Sequence, residues 1–238
     1  KCEPLTNKSL DGALKVFREA FIKNEAVCKA VGILEEPGAD EELLHTCYDA
    51  AKDGISFVAI DTSTNKVVGV MFNKIHVLAP EGETYYQKLR KNSKYKSVKA
   101  FYDFTIDLET KADLFKLYNT NCLMEIVCIA TLPEYKQRNV AGLMTESTHK
   151  IGRLLCNGES VKNPIDIKDG EITNTDPVPS IVTAQATSKY VQKMSVQLGY
   201  DKVLEVNYKD YTIDGKTFSE RIGDVHKACW VVVKRLDF

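Results

Sequence analysis

Residues 125–144 read EIVCIATLPEYKQRNVAGLM, and this stretch carries the clearest structural pattern in the chain. The almost uninterrupted apolar run from Leu123 to Ala130 is typical of a central strand that is covered on both faces. A tight basic loop follows, and residues 139–155 then show helical periodicity. Backbone N–H groups at a helix N-terminus attract anions, and Lys136 and Arg138 add positive charge. The stretch predicts a diphosphate-binding loop, while an ordinary strand–loop–helix connection with two solvated basic residues explains the pattern equally well.

The periodicity on either side of this stretch predicts an α/β chain. Three helices are expected first, over residues 10–24, 25–33 and 40–54, with Asn7 or Ser9 as the first N-cap. An antiparallel hairpin of residues 55–61 and 66–77 follows, and then a helix around residues 108–118. The C-terminal part predicts a strand over 181–186, a helix over 187–198, and strands over 202–208 and 228–236. This order indicates one domain with a mixed sheet and with insertions near residues 80–105 and 157–179.

The composition is that of an ordinary globular protein. The chain has 238 residues, of which 44% are hydrophobic and 27% are charged. Its 32 Lys and Arg residues balance 33 Asp and Glu residues, so no overall field attracts nucleic acid or a membrane surface. No apolar run approaches the roughly 20 residues that a membrane helix needs. We therefore expect neither nucleic acid nor membrane as a partner; the basic, tyrosine-bearing run from Tyr85 to Lys99 is better explained as a solvated face near a substrate entrance.

The cysteines and histidines indicate no metal site. The seven cysteines are scattered without a C-x-x-C pair, and the four histidines show no metal-ligand spacing. Several cysteines lie inside apolar patterns, as is usual for reduced thiols. The first residues, Lys1–Pro4, lack the apolar core of a signal peptide. These features predict a cytoplasmic protein without a bound metal.

The basic loop resembles the acetyl-CoA-binding motif of the GNAT acetyltransferase superfamily, Arg/Gln-x-x-Gly-x-Gly/Ala. Lys136 stands at its first position, Asn139 at the middle Gly and Ala141 at the last. Lys136 keeps the positive charge of the first position. Asn is the residue after Gly that best adopts left-handed backbone conformations, so Asn139 is compatible with a Gly position.

A longer resemblance links the chain to the insect arylalkylamine N-acetyltransferases. It runs in order through residues 17–27, 54–61, 67–70, 186–200 and 231–236, and leaves out the two predicted insertions. The resemblance implies a GNAT-type α/β fold. In that fold, helices flank a mixed, mostly antiparallel central sheet, and two central strands splay into a V-shaped opening for acetyl-CoA.

The same resemblance implies which residues bind acetyl-CoA. Ile129, Ala130 and Thr131 would supply backbone groups to the pantetheine and the thioester, and an N–H near Ile129 and Ala130 would polarise the thioester carbonyl. The pyrophosphate would lie against the loop formed by Lys136, Gln137, Arg138, Asn139, Val140, Ala141 and Gly142.

The resemblance also implies catalytic residues. Glu25 stands where the family has its catalytic glutamate, although a helix-terminal carboxylate is also a common structural feature. The positions of two family serines are Thr187 and Val191, of which only Thr187 has a hydroxyl. Thr187 and Ser188 are candidate proton donors to the leaving thiolate, with helix capping as an equally good interpretation.

The resemblance thus implies an enzyme that moves an acetyl group from acetyl-CoA to a primary amine, an arylalkylamine in the first instance. The transfer would be direct, in a ternary complex, with Glu25 as the general base. The alternatives are a GNAT enzyme for another small amine, such as a polyamine or an amino acid, and a CoA-binding paralogue without activity. We expect a monomer whose partner is a small amine.

Overall fold

The computed structural model describes residues 1–79, 82–163, 165 and 178–236. A seven-stranded sheet crosses this part of the chain, and its order is β1-β2-β3-β4-β5-β9-β6. Neighbours are antiparallel except β4 and β5, which are parallel. Strands β7 and β8 form a separate small hairpin. The strands are β1 (Cys2–Pro4), β2 (Phe57–Asp61), β3 (Lys66–Val77), β4 (Cys122–Thr131), β5 (Ile181–Ala186), β6 (Asp201–Asn207), β7 (Thr212–Ile213), β8 (Lys216–Thr217) and β9 (Ala228–Arg235).

The helices cover both faces of this sheet. No helix of the described residues is both long and apolar enough to cross a membrane. A π-helical turn, Phe17–Ile22, continues the first helix toward the second. The helices are α1 (Asn7–Val16), α2 (Ala26–Val31), α3 (Ala39–Lys52), α4 (Tyr85–Asn92), α5 (Lys96–Ala112), α6 (Leu114–Tyr118), α7 (Val140–Cys156), α8 (Lys189–Gln197) and α9 (Phe218–Ile222).

Strand β4 contributes to two hydrophobic cores because its side chains alternate between the faces of the sheet. Leu123 packs with the N-terminal helices and with α5 on one face. Met124 and Ile126 pack with Met144 and Ile151 of α7 on the other. The strand is therefore buried on both sides, which explains its nearly continuous apolar sequence. The predicted fold class, a mixed and mostly antiparallel sheet flanked by helices, is confirmed.

Most predicted elements are found within a few residues of their expected ends, and the differences have local causes. The N-cap of α1 is Thr6, rather than Asn7 or Ser9. The short edge strand β1 was not predicted, because three residues carry no readable alternation. Residues 85–112 form helices α4 and α5, although helical structure was predicted only from residue 108. Because these helices are rich in basic residues, their sparse apolar stripe, which includes the fully buried Tyr102, is hard to recognise in the sequence.

The two predicted insertions differ in how much of them is described. The described part of residues 80–105 forms α4 and the first half of α5, and these two helices pack against each other. Most of the second insertion, residues 164 and 166–177, lies outside the described residues. In its described part, the carbonyl of Pro179 accepts a hydrogen bond from Sγ of Cys156, the last residue of α7.

Candidate active site

The central sheet opens between β4 and β5. The two strands pair only from Met124 to Ile126 on β4, opposite Val182 to Ala184 on β5. Val127 is an extra residue in the ladder with β3, because Phe72 faces Cys128 while the next residue of β3 faces Ile126. Such a bulge bends the strand that carries it. Beyond this point β4 continues beside β3 and β5 continues beside β9, which produces the V-shaped splay predicted from the resemblance.

Two backbone amides of β4 face this opening. The N–H of Leu132 donates to the Val68 carbonyl of β3 at 2.9 Å. Because N–H directions alternate along an antiparallel strand, the amide of Ala130 also faces β3, and those of Ile129 and Thr131 face the splay. Ile129 and Thr131 can therefore donate to a ligand. Ile129, Ala130 and Thr131 all line the cavity, but the amide of Ala130 is directed to β3 within the sheet.

A cavity of about 710 Å³ fills the splay. At one end lies the loop before α7, and at the other lies a pocket with aromatic walls. Twelve of the thirteen residues expected to bind or react with substrates line this cavity, and the thirteenth, Arg138, does not. The twelve are Glu25, Ile129, Ala130, Thr131, Lys136, Gln137, Asn139, Val140, Ala141, Gly142, Thr187 and Ser188.

The loop at the start of α7 presents free amides. Gln137 and Asn139 have positive φ angles of 62° and 56°, so the chain turns sharply before the helix begins. The N–H of Leu143 is the first to bond within the helix, to the Asn139 carbonyl at 3.1 Å. The amides of Val140, Ala141 and Gly142 precede it and have no intrahelical acceptor. This arrangement suits an anionic group such as a diphosphate.

Gly142 makes room for the turn. A Cβ atom at Gly142 would lie 2.2 Å from Oδ1 of Asn139, so only glycine lets that side chain fold over the first helical turn. Lys136 adds its charge at the cavity wall. Arg138 instead lies over the Tyr135 ring, at 5.1 Å from its centroid. The Tyr135 hydroxyl donates to Asp61 at 2.7 Å and fastens the loop to the end of β2.

The backbone conformation of Asn139 leads to a stability prediction. Replacement by Ala is expected to lower the free energy of unfolding by about 1 kcal/mol, because a Cβ-bearing residue without a polar side chain resists positive φ. Replacement by Gly should leave stability nearly unchanged or slightly raised. Urea denaturation of the three proteins checks this, and equal midpoints for the Ala and Gly variants would contradict it.

Glu25 occupies the N-cap of α2. Its carboxylate accepts hydrogen bonds from the amides of Val27, at 2.9 Å, and Cys28, at 2.6 Å. The capping interpretation of Glu25 is thus observed. The side chain is nonetheless only partly buried and also lines the cavity, so capping holds it in place at the wall. Helix ends of this kind fix a carboxylate without closing off its remaining lone pairs.

The π-helical turn before Glu25 shapes the pocket with aromatic walls. The rings of Phe17 and Phe21 stack at 4.9 Å and both line the cavity. The amide of Glu25 donates to the Phe21 carbonyl at 2.8 Å, which joins the turn to the cap. Single π-turns within helices are frequent at functional sites. Phe101 and Phe104 of α5 complete the apolar wall.

The two candidate proton donors differ in their hydrogen bonding. Ser188 is the N-cap of α8, and its Oγ accepts from the Val191 amide at 3.3 Å. Thr187 uses its carbonyl, which accepts from the Tyr208 hydroxyl at 2.8 Å. The Thr187 hydroxyl bonds to none of the described residues and is available to a ligand. Val191, at the second family serine, presents an apolar side chain to the cavity.

Other wall residues could not be anticipated from the sequence. Glu125 of β4 and Tyr86 of α4 lie at the aromatic end, where the Tyr86 hydroxyl donates to Glu125 Oε2 at 2.9 Å. Cys47 and Cys128 also line this end, and burial raises the pKa of both thiols well above the ordinary value. Among the described residues, no group of three His, Cys, Asp or Glu side chains is arranged to hold a metal ion.

Comparison with known proteins identifies the fold. No family model and no curated protein matches the chain. Solved structures match it over nearly its whole length. Arylalkylamine N-acetyltransferase 2 from Aedes aegypti is 21% identical with a TM-score of 0.76, covering 100% of this chain and 99% of its own. A Drosophila melanogaster polyamine N-acetyltransferase that forms N-acetylagmatine is 16% identical with a TM-score of 0.75, covering 99% of both chains.

A third similar structure is the C-terminal condensation domain of Ebony in complex with β-alanyl-dopamine. It is 14% identical with a TM-score of 0.65, covering 99% of this chain and 98% of its own. These likenesses show that the chain has the GNAT acetyltransferase fold. The resemblance drawn from the sequence is confirmed at the level of that fold.

Proposed function

We propose that this protein transfers an acetyl group from acetyl-CoA to a primary amine. One observation carries the proposal: a single cavity connects the free amides at the start of α7, the splayed amides of β4 and the carboxylate of Glu25. These groups are the ones that a diphosphate, a thioester and an ammonium group respectively require. Of the three similar structures named above, two are N-acetyltransferases of arylalkylamines or polyamines, and the third is a domain in complex with the amine conjugate β-alanyl-dopamine.

The residues of this chain fit acetyl-CoA as the cosubstrate. The amides of Val140, Ala141 and Gly142, with Lys136, would hold the pyrophosphate. The amides of Ile129 and Thr131 would hold the pantetheine and the thioester carbonyl. When bound there, acetyl-CoA supplies an activated acetyl group at the centre of the splay.

Glu25 acts as the general base in this proposal. Most primary amines are protonated at pH 7, so a carboxylate must remove a proton before the nitrogen attacks. The Glu25 carboxylate takes that proton, directly or through water, and the nitrogen forms a bond to the thioester carbon. The amide of Ile129 stabilises the charge that develops on the carbonyl oxygen. The C–S bond breaks, the Thr187 hydroxyl gives a proton to the departing thiolate, and Thr187 regains a proton, directly or through water, from the nitrogen, which becomes the amide.

Direct transfer fits the state of the cysteines near the site. Thiolates, rather than thiols, are the nucleophiles that form acyl-enzymes. Burial raises the pKa of Cys28, Cys47 and Cys128, so these side chains are neutral thiols at physiological pH. This state favours attack of the amine on acetyl-CoA itself, within a ternary complex.

The aromatic walls support an arylalkylamine as one class of acceptor. Phe17, Phe21, Phe101 and Phe104 surround the space beyond Glu25, where aromatic rings pack well against one another. The aromatic end also contains the carboxylate of Glu125, which favours a second class, the polyamines.

The proposal is tested by measuring thiol release from acetyl-CoA with a panel of amines. The panel contains dopamine, tyramine, tryptamine, serotonin, histamine, spermidine and short aliphatic amines, with calorimetric titration of acetyl-CoA alongside. We expect acetyl-CoA to bind and at least one primary amine to be acetylated. Binding without turnover on any amine would favour the paralogue without activity, and absence of both would overturn the proposal.

A further inference from the structure

A group of polar side chains lies behind the aromatic end of the cavity. It consists of Glu125 of β4, His76 of β3, Tyr85 and Tyr86 of α4, and Glu109 of α5, and is called the acidic cluster below. Glu125 and Tyr86 belong to the cavity wall itself. The mechanism proposed above uses none of the five.

The acidic cluster contains buried polar atoms that form no hydrogen bond with the described residues. His76 and Glu125 are each 9% exposed in their side chains, and His76 Nε2 lies 2.8 Å from Glu125 Oε2. The angles of this contact fall outside those of a hydrogen bond, but it is an ion pair whenever the imidazole is protonated. Tyr85 Oη and Glu109 Oε2 are buried and form no hydrogen bond with the described residues. Such atoms are rare in native proteins and indicate a missing partner.

Glu125 belongs to the cavity wall, and only one of its two carboxylate oxygens accepts a hydrogen bond from the described residues. Its Oε2 accepts from the Tyr86 hydroxyl at 2.9 Å. Its Oε1 accepts from none of the described residues. A buried carboxylate with an unused oxygen costs free energy unless a donor or a cation completes it.

His76 can carry one positive charge against Glu125, but no lysine or arginine of the described residues neutralises the cluster. None of the described Lys or Arg side chains forms an ion pair with Glu125 or Glu109. Lys74 lies over the Tyr85 ring, but its ammonium pairs with Asp53 at 3.1 Å. Burial and the nearby charge of Glu125 raise the pKa of Glu109 to about 8. The environment therefore already disfavours a second negative charge and favours a positive one.

We propose that the acidic cluster binds a second cationic group of the acceptor, so that the preferred substrates are diamines or guanidino amines. The inference rests on the acetyltransferase function proposed above. One end of the substrate would react at Glu25 and Ile129, and the other would donate to Glu125 Oε1. The aromatic walls between them would contact the carbon chain.

The strand gives the spacing between the two ends. Glu125 and Ile129 lie on either side of the bulge at Val127 and face Lys74 and Met71, three residues apart on β3, which corresponds to about 10 Å of strand. Short diamines are therefore the acceptors to compare, and two chain lengths are used below.

The experiment compares matched amines on the wild type and on Glu125→Gln. The pairs are 1,4-diaminobutane with butylamine, 1,5-diaminopentane with pentylamine, and tyramine with phenethylamine. In the wild type we expect kcat/KM to be about 10- to 100-fold higher for each diamine than for its monoamine, as charge-assisted contacts usually give. In Glu125→Gln this ratio should fall to near one, because kcat/KM falls more for the diamine than for the monoamine. Glu146→Gln, on the exposed side of α7, is the charge-matched control and should behave as the wild type.

Several results would overturn the inference. One is a wild-type diamine ratio near one, including the case in which tyramine alone is preferred over phenethylamine. Another is an equal loss on both members of each pair in Glu125→Gln, which would assign Glu125 to the reaction or to folding. If Glu125→Gln does not fold, Glu125→Asp keeps the charge but withdraws the carboxylate, and preference should move toward the longer diamine. An unchanged length preference in a folded Glu125→Asp protein would then contradict the inference.

A binding measurement separates this inference from the proposed function. If no amine is acetylated, the proposed function fails, and calorimetric titration of 1,4-diaminobutane into the CoA-loaded protein still tests the acidic cluster. Binding that is at least tenfold weaker in Glu125→Gln supports the cluster as a cation site. No difference between the two proteins, or no binding to the wild type, overturns it.

Discussion

Replacing Glu25 with Gln is expected to lower kcat by about 100- to 10,000-fold, the range by which positioned general bases accelerate reactions. Gln has nearly the same shape as Glu but cannot accept a proton at neutral pH. Glu25 lies on the cavity wall away from the free amides of α7, so the affinity for acetyl-CoA should remain unchanged. Steady-state kinetics with the best amine of the panel, together with calorimetric titration of acetyl-CoA, measures both quantities.

The capping role of Glu25 requires its own control. Loss of the carboxylate that accepts from Val27 and Cys28 should lower the free energy of unfolding by about 1 kcal/mol. Glu25→Asp keeps both the charge and a good N-cap residue, but its carboxylate is one methylene shorter. It should therefore be as stable as the wild type while retaining only part of the activity. Full activity in a folded Glu25→Gln protein would remove Glu25 from the mechanism.

Replacing Ala141 with Asp is expected to weaken acetyl-CoA binding by about 100-fold. Ala141 lies in the first turn of α7 and on the cavity wall, where its amide is free to bind an anion. A carboxylate at this place would occupy the positive end of the helix and repel a diphosphate. The first turn of α7 has no acidic residue, so Asp should stabilise the helix rather than disrupt it. Calorimetric titration of acetyl-CoA measures the loss, and thermal denaturation shows whether the fold is kept.

Ala141→Asn separates charge from size. Asn has nearly the volume of Asp without its charge, so we expect it to cost much less affinity than Asp. Affinity for acetyl-CoA that is equal in wild type and Ala141→Asp would place the pyrophosphate elsewhere. Equal losses in Ala141→Asp and Ala141→Asn would indicate crowding rather than anion binding.

The parts of the site that the sequence predicts are built from neighbouring residues. The strand, the loop and helix α7 follow one another along the chain, so their apolar run, basic loop and helical period are readable directly. The left-handed conformation of Asn139 was likewise expected from the chemistry of Asn, and the structure gives it a φ of 56°. The splay was implied by the resemblance, and its physical origin is the bulge at Val127.

The parts that could not be predicted depend on contacts between distant segments. In the sequence, Glu125 only interrupts an apolar strand. Its contact with Tyr86 joins two residues that are 39 positions apart. Helix α4 was not predicted, so no pattern could place Tyr86 over the strand. The sequence also could not decide between capping and catalysis for Glu25. In the structure the side chain is a cap and also part of the cavity wall, and only kinetics measures its chemical role.

The most direct test of acetyl transfer in the splay is mass spectrometry of a quenched reaction. The protein is mixed with acetyl-CoA and an amine from the panel, and the acetyl group is followed on the amine, on CoA and on the protein. Direct transfer predicts one acetylated amine for each CoA released, while the mass of the protein stays unchanged throughout. Release of CoA without acetylated amine, or an acetyl group on the protein that passes to the amine, would contradict it.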